Sequence, residues 1–296
     1  MVASTSSKDT SERDQDRWPL KPGLHLVATP IGHLGDLSPR ALETLKIADL
    51  VVCEDSRVTG KLLKLHGIER SLLPYHEHNA ARMRPRILDQ LATGARVALT
   101  SDAGTPLVSD PGYKLVRDVI EAGHEVLAVP GPSAALAALV ISGLPTDQFF
   151  FGGFLPSKAS ARRRVIGELS SVPATLIWFE SGKRLAATLH DLATGLGPRQ
   201  AAVARELTKA FEEVRRGILD NLASVYADED VPRGEIVIVV GPPDAADVWD
   251  DAAVDEALRD SLKTMTPSAA AAAVATKTGR ARRELYRRGL ALREDV

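Results

Sequence analysis

Leu99 to Gly112 reads LTSDAGTPLVSDPG, with Asp102 and Asp110 set among Gly, Pro and Ser residues. It follows ARVA, an apolar run of the kind that forms a buried strand. Gly and Pro at a strand's mouth suit a phosphate loop. A Walker-type loop, however, needs Gly-Lys-Ser/Thr opening a helix, and a dinucleotide loop needs GxGxxG after the first strand. Neither is present. The first strand leads instead into TPIGHLGD, whose proline removes an amide donor where a phosphate would seek one. The two aspartates also oppose a polyphosphate, because like charges at close range cost energy unless a metal intervenes.

Asp102 and Asp110 suit a ligand that carries ammonium or sulfonium charge, or hydroxyls, and S-adenosylmethionine offers all three. A structural reading stands beside this one: SDAGTP and SDPG as turns capped by Asx side chains. The stretch VPGPSAALAALVISG also has two readings. Ser133 caps a helix that stops at Gly143, and its first amides could hold a carboxylate or an adenine edge; otherwise this is a tight turn into a packed helix.

These loops need a scaffold, and the chain is long enough, at 296 residues, for about two domains. From Leu24, short apolar runs alternate with helical periodicity, the pattern of an α/β domain with a largely parallel sheet. LHLVA, DLVVC, ARVALT and EVLAV read as strands. Ser38-Pro39 opens one helix, and SRVTGKLLKLHG forms another that ends at Gly67. A break at Gly143–Gln148 suggests a hinge or cleft, after which FFFGGF, ATLIWF, AAVAREL and EIVIVVG alternate with helices over Lys158–Leu169 and Lys183–Ala193. This second α/β domain is expected to be richer in antiparallel strands. The expected organisation is a disordered tail over 1–22, α/β domains over 23–143 and 144–245, and a helix-turn-helix-like module over 250–296.

Forty-four per cent hydrophobic and 26% charged residues fit a soluble globular protein, and a net charge of −2 argues against coating nucleic acid by bulk electrostatics. Arginine is nevertheless clustered, in ARRR at Ala161–Arg164 and in GRARRELYRR at Gly279–Arg288. The single cysteine, Cys53, excludes an internal disulfide and fits a reducing cytoplasm. No targeting peptide and no membrane span is expected.

The motifs VATPIGHLGDLSPRAL, VVCEDSRVTGKLL, PYHEHN, LTSDAGTPLVSDPG, VPGPSAALAALVISGLPTDQFFFGGFLPSK, ARELTKAFEEV and RGEIVIVV resemble, in order and spacing, the ribosomal RNA small-subunit methyltransferase I family of the tetrapyrrole methylase superfamily. The resemblance runs from about Leu24 to Val240, and the C-terminal helices are similar to that family's extra module. It implies two α/β domains with S-adenosylmethionine in the cleft between them, a homodimer, and methylation of a cytidine ribose 2′-hydroxyl in the decoding region of 16S rRNA. By motif position it implies cofactor contacts at Pro30, Ala103, Gly104, Thr105, Val108, Ser133 and Ala134, with Asp102 beside them. The second domain would add Phe179, Glu180 and the RELT segment. His33 stands where the family pattern has Asn.

Methyl transfer from a sulfonium is an in-line displacement governed by positioning, and a ribose hydroxyl is a poor nucleophile that benefits from a base. By residue type the candidates are Glu54 and Asp55 in CEDSR, His76, Glu77 and His78 in YHEHN, Asp102, and Lys209 in ELTK. The carboxylates beside Arg57 could equally fix a helix start. His76 and His78 lack the further partners that tetrahedral zinc needs, so no metal is expected. RNA contact, from 16S rRNA or the small ribosomal subunit, is expected at Arg162, Arg163, Arg164, Arg280, Arg282, Arg283, Arg287 and Arg288, against the reading of a merely solvated helical face. Two alternatives remain open: a small-molecule methylase of the same superfamily, and a metabolite-sensing regulator that binds DNA.

Overall fold

The computed structural model describes residues 20–243, 251–278 and 280–294. The expected tail therefore lies, as far as residue 19, outside the described residues, as does Gly279 in the expected turn of the C-terminal module. The chain divides into two compact units, Met1–Pro132 and Ser133–Val296.

In the first unit, β1 (Gly23–Val27), β2 (Leu50–Cys53), β3 (Leu72–Pro74), β4 (Arg96–Thr100) and β5 (Val126–Val129) pair in parallel in the order β3-β2-β4-β1-β5. Successive side chains point to opposite faces, and the sequence uses both. Leu24, Val52, Val97 and Leu99 pack with Met83, Ile87 and Leu91 of α3 (Ala80–Ala92) and with Leu115 and Val119 of α4 (Tyr113–Glu121). Val27, Val51 and Ala98 pack with Ala41 and Leu45 of α1 (Pro39–Ile47) and with Leu62 and Leu63 of α2 (Ser56–Leu65). A sheet buried on both faces needs the near-continuous apolar runs seen in the sequence, and each such side chain contributes roughly 1.5–3 kcal/mol on burial.

Local signals set the helix ends. The Ser38 hydroxyl accepts the Ala41 N–H at 3.1 Å, with Pro39 in the first turn. Asp55 caps α2, and the chain leaves that helix through Gly67 at φ 63°. All five parallel strands end at one edge. The segments that begin at Ala28, Glu54, Tyr75, Ser101 and Pro130 leave from it, at the carboxyl ends where open α/β sheets bind ligands.

The second unit contains a sheet of β6 (Phe149–Phe154), β7 (Thr175–Ser181), β8 (Gln200–Arg205), β9 (Glu213–Ile218) and β10 (Glu235–Val240), in the order β6-β7-β10-β8-β9. Only the β6–β7 pair is parallel, in keeping with the mixed sheet expected. Its core joins Leu176, Trp178, Ile236, Ile238 and Val240 to Leu185, Leu189 and Leu192 of α7 (Gly182–Leu196), Ile166 of α6 (Ala159–Glu168) and Tyr226 of α8 (Leu219–Asp228).

Helix α5 (Ala134–Ser142) packs on β7, β8 and β10, so the division between units falls before Ser133, one helix earlier than the break expected at Gly143–Gln148. A helix reading AALAALVIS has no polar stripe to reveal which sheet it covers. It ends at Gly143, left-handed at φ 79°, as expected, but the Ser133 side chain makes no capping bond.

The C-terminal module has three helices, α9 (Asp251–Leu262), α10 (Pro267–Thr278) and α11 (Arg282–Glu294). Val254, Leu258, Ala271, Val274 and Leu285 form its core. The last two are the expected helix pair. Helix α9 supplies the apolar partner that an alanine-rich hairpin lacks.

Candidate functional site

The loops at the edge of the first sheet are knitted by backbone contacts. Thr29 and Gly104 form an isolated antiparallel bridge, Thr29 N donating to Gly104 O at 2.9 Å and Gly104 N to Thr29 O at 3.1 Å. The Thr29 hydroxyl donates to Ser101 O at 3.3 Å, and the Thr105 hydroxyl to Pro132 O at 3.0 Å. Close approach explains two glycines. A Cβ on Gly104, whose φ is 78°, would lie 3.3 Å from Ile31, and one on Gly131 would lie 3.0 Å from the Ala28 Cβ. Leu107 and Ser109 hold φ values of 73° and 68°, a left-handed backbone that non-glycine residues adopt at a cost. The structure thus brings Pro30, Asp102, Ala103, Gly104, Thr105 and Val108 together on two adjoining loops. His33 caps the 3-10 turn Leu34–Asp36, its Nδ1 accepting the Gly35 N–H at 3.1 Å.

The acidic residues divide sharply. Asp55 Oδ1 accepts the Arg57 N–H at 2.8 Å while Oδ2 meets Arg57 Nη2 at 2.5 Å, and these bonds hold its carboxyl down to about 2. Asp55 is therefore committed to the cap of α2 and to Arg57. Asp102 Oδ1 accepts the Asp55 N–H at 3.0 Å. Burial raises the pKa of Glu54, and the charges of Asp110 and Asp102 raise it further. Burial likewise raises Asp102 and Asp110, against the opposing pull of the Asp55 N–H on the first and of Ser101 on the second. Three mutually repelling carboxyls on the segments that follow β2 and β4 would be relieved by a cation. A ligand with sulfonium and ammonium charge fits that donor set, and the close-packed glycines fit a ligand approached by backbone.

On the next loop, the His76 N–H donates to Asn79 Oδ1 at 2.9 Å and Asn79 Nδ2 to Pro74 O at 2.9 Å. The rings of His76 and His78 stand edge to face, centroids 6.0 Å apart, and His76 Nδ1 is buried with no hydrogen-bond partner. Among the described residues no group of three or more His, Cys, Asp or Glu stands ready for a metal.

In the second unit, Glu180 is committed internally. Its Oε1 accepts the Ser181 N–H at 2.8 Å, and its Oε2 accepts the Thr188 hydroxyl at 2.6 Å and faces Arg184 Nη2 at 3.2 Å. With that side chain buried, Glu180 holds β7 to α7. Phe179 packs edge to face on Phe151 and Phe154, with centroids at 4.9 and 5.6 Å. Lys209 Nζ bridges Glu206 at 2.8 Å and Glu235 at 2.7 Å. Burial alone would lower its pKa, but these two bonds outweigh it and raise it. The RELT turn that precedes Lys209 is strained, with Glu206 at φ 51° and Thr208 at φ 63°.

Residues 23–223 match the family Tetrapyrrole (Corrin/Porphyrin) Methylases, and residues 249–293 match the RsmI C-terminal HTH domain. A curated protein of Mesorhizobium japonicum, "Ribosomal RNA small subunit methyltransferase I", is 52% identical over 93% of this chain and 94% of its own. Its namesakes in Xylella fastidiosa and Synechocystis are 49% and 44% identical over 89% and 92% of the chain, and 97% and 99% of their own. The chain belongs to the ribosomal RNA small subunit methyltransferase I family. Among solved structures, a diphthine synthase (TM-score 0.58, 16% identical) and a uroporphyrin-III-C-methyltransferase of Thermus thermophilus (0.53, 23%) share the fold, each over 74% of this chain and 89% and 94% of theirs.

The arginines of this methyltransferase I family member fall into two kinds. Arg162 has a side chain only 7% exposed and meets Asp191 at 2.6 Å, which ties α6 to α7 and corrects its expected role in phosphate contact. Arg163 and Arg164 are 61% and 74% exposed, each 3.8 Å from a carboxylate. Arg280 meets Asp251 at 2.6 Å, and Arg288 meets Asp251 at 3.2 Å and Asp255 at closer range, so both fasten α11 or its approach to α9. Arg282, Arg283 and Arg287 are exposed on α11. No helix among the described residues is long and apolar enough to cross a membrane.

Proposed function

We propose that this chain transfers the methyl group of S-adenosylmethionine to the ribose 2′-hydroxyl of a cytidine in the decoding region of 16S rRNA. It would act on 16S rRNA or the small ribosomal subunit, as a homodimer in the cytoplasm. The observation that carries the reading is identity of about half of all positions to proteins named for small-subunit rRNA methylation, over both the methylase body and the C-terminal helices.

S-adenosylmethionine, when bound, supplies a methyl group activated by its sulfonium. Pro30, Ala103, Gly104, Thr105 and Val108 would hold it by close backbone approach, and the family resemblance adds Ser133, Ala134 and Phe179 as candidate contacts. Asp102 would offer its second oxygen to positive charge while the first accepts the Asp55 N–H. Glu54 is the strongest base candidate. Its carboxyl has a raised affinity for a proton, whereas Asp55 and Lys209 are held in their charged forms by direct partners. His76 and His78 stand in reserve for orienting the hydroxyl. Excluding water and fixing the ribose do most of the remaining work of an in-line displacement.

Mapping ribose methylation in 16S rRNA from cells with and without this protein tests the proposal. One cytidine 2′-O-methyl should disappear without it; an unchanged map would contradict the reading.

A further inference from the structure

Helices α10 and α11 frame an open groove of about 470 Å³, lined by Ser268, Arg282, Arg283 and Tyr286. That volume lies within the roughly 300–1,000 Å³ of small-ligand sites. Arg282 Nη2 donates to the Ser268 hydroxyl at 2.9 Å, which ties its guanidinium to α10 beside the groove. Arg283 and Arg287 have no ion-pair partner among the described residues, while Arg280 and Arg288 are neutralised by α9. Positive charge on α11 is thus sorted to the side away from Asp251 and Asp255.

Arg283, Tyr286, Arg287 and Leu290 recur at i, i+3, i+4 and i+7, which puts them on one helical face. Tyr286 is 42% exposed, and Leu290 is also exposed. An aromatic ring flanked by unpaired guanidiniums is the arrangement that stacks an unpaired base and holds its phosphate. Duplex readout calls instead for polar side chains that reach base edges.

We infer that this groove seats one nucleotide of single-stranded RNA, its phosphate against Arg282 and Arg283 and its base stacked on Tyr286. The inference rests on the reading of the chain as an rRNA methyltransferase and names where that RNA is gripped away from the reacting ribose.

The test uses the full chain with S-adenosylmethionine bound. It measures affinity for a short single-stranded oligoribonucleotide and for the same strand in a duplex, over a salt series, for wild type, Tyr286→Ala, Tyr286→Phe and Arg283→Glu. Tyr286→Ala should weaken single-strand binding by about 5- to 100-fold and Tyr286→Phe should restore it. Arg283→Glu, at an exposed position, should weaken binding and flatten its salt dependence by about 0.7 or more in log-log slope. Cofactor affinity and melting temperature should stay at wild-type values in all three. Unchanged binding in Tyr286→Ala and Arg283→Glu, or a preference for duplex, overturns the groove assignment. Methyl transfer to 30S particles, measured alongside, separates the two readings. Transfer by wild type with no effect of either variant on binding leaves the function standing and removes the groove. Binding lost in the variants with no transfer by wild type does the reverse.

Discussion

Asp102 accepts the backbone N–H of Asp55 at 3.0 Å, which joins the loop that follows β4 to the cap of α2 across 47 positions of sequence. Asp55 in turn caps α2 and binds Arg57. One carboxylate therefore fixes the geometry of the next, and both stand beside Glu54.

Asp102→Asn and Asp102→Ala should separate structure from ligand binding. Asparagine keeps an oxygen for the Asp55 amide and removes the negative charge. Its stability in urea should stay within about 1 kcal/mol of wild type, while affinity for S-adenosylmethionine falls about tenfold by calorimetry. Alanine also removes the acceptor, so it should lose about 1–3 kcal/mol of stability as well. Equal cofactor affinity in wild type and Asp102→Asn would remove Asp102 from the cofactor's contacts.

Carboxyls with raised folded-state pKa values bind protons more readily in the native protein than in the unfolded one. For Glu54, Asp102 and Asp110 the contribution to stability therefore worsens as pH rises from about 4, the ordinary carboxylate value, through their folded values. Asp49 and Asp55, held down to about 2, act oppositely, and their stabilisation is lost as pH falls from about 4 through that value. Asp110→Asn should accordingly gain stability relative to wild type as pH rises from about 4 to 7, seen in urea unfolding at several pH values. Wild-type affinity for the cationic cofactor should fall as pH drops through the same window, because protonation removes the charges that attract it. A variant that tracks wild type at every pH would contradict the shift.

Arg162→Ala strips the closer and buried partner from a buried Asp191, leaving only Arg163 at 3.8 Å, and should cost about 3–5 kcal/mol in urea unfolding. Arg164→Ala, at an exposed position on the same helix, should change stability by less than about 1 kcal/mol. Equal stability losses in the two would contradict the division of the ARRR run.

That division marks the limit of what sequence patterning carries. The five parallel strands of the first unit were nearly all readable, because burial on both faces demands the unbroken apolar runs LHLVA, LVVC, RVALT and VLAV. Three-residue β3 is too short to leave such a run, and α5 is apolar on every side, so its sequence does not reveal which sheet it covers. The loop residues around Gly104 were found by motif. Their physical cause, the Thr29–Gly104 bridge, depends on strands adjacent only in the fold. Arg162 looks like its neighbours until Asp191, 29 positions later, is placed beside it, and Glu180 looks available until Thr188 and Arg184 are. Tyr286 did have a signal, three positions after Arg283 in a helical stripe.

Glu54→Gln is the corresponding test of the proposed base. Glutamine preserves size and removes proton acceptance, so single-turnover methyl transfer at saturating cofactor should fall about 10²- to 10⁴-fold with cofactor affinity reduced far less. Undiminished transfer would move the role to His76 or His78.

The central claim is tested most directly by incubating the purified chain with methyl-labelled S-adenosylmethionine and 30S particles or a porphyrinogen, then digesting the 16S rRNA to nucleosides. The account predicts label in 2′-O-methylcytidine from the 16S rRNA and none on the tetrapyrrole. Label on a base, or on the porphyrinogen alone, would contradict it.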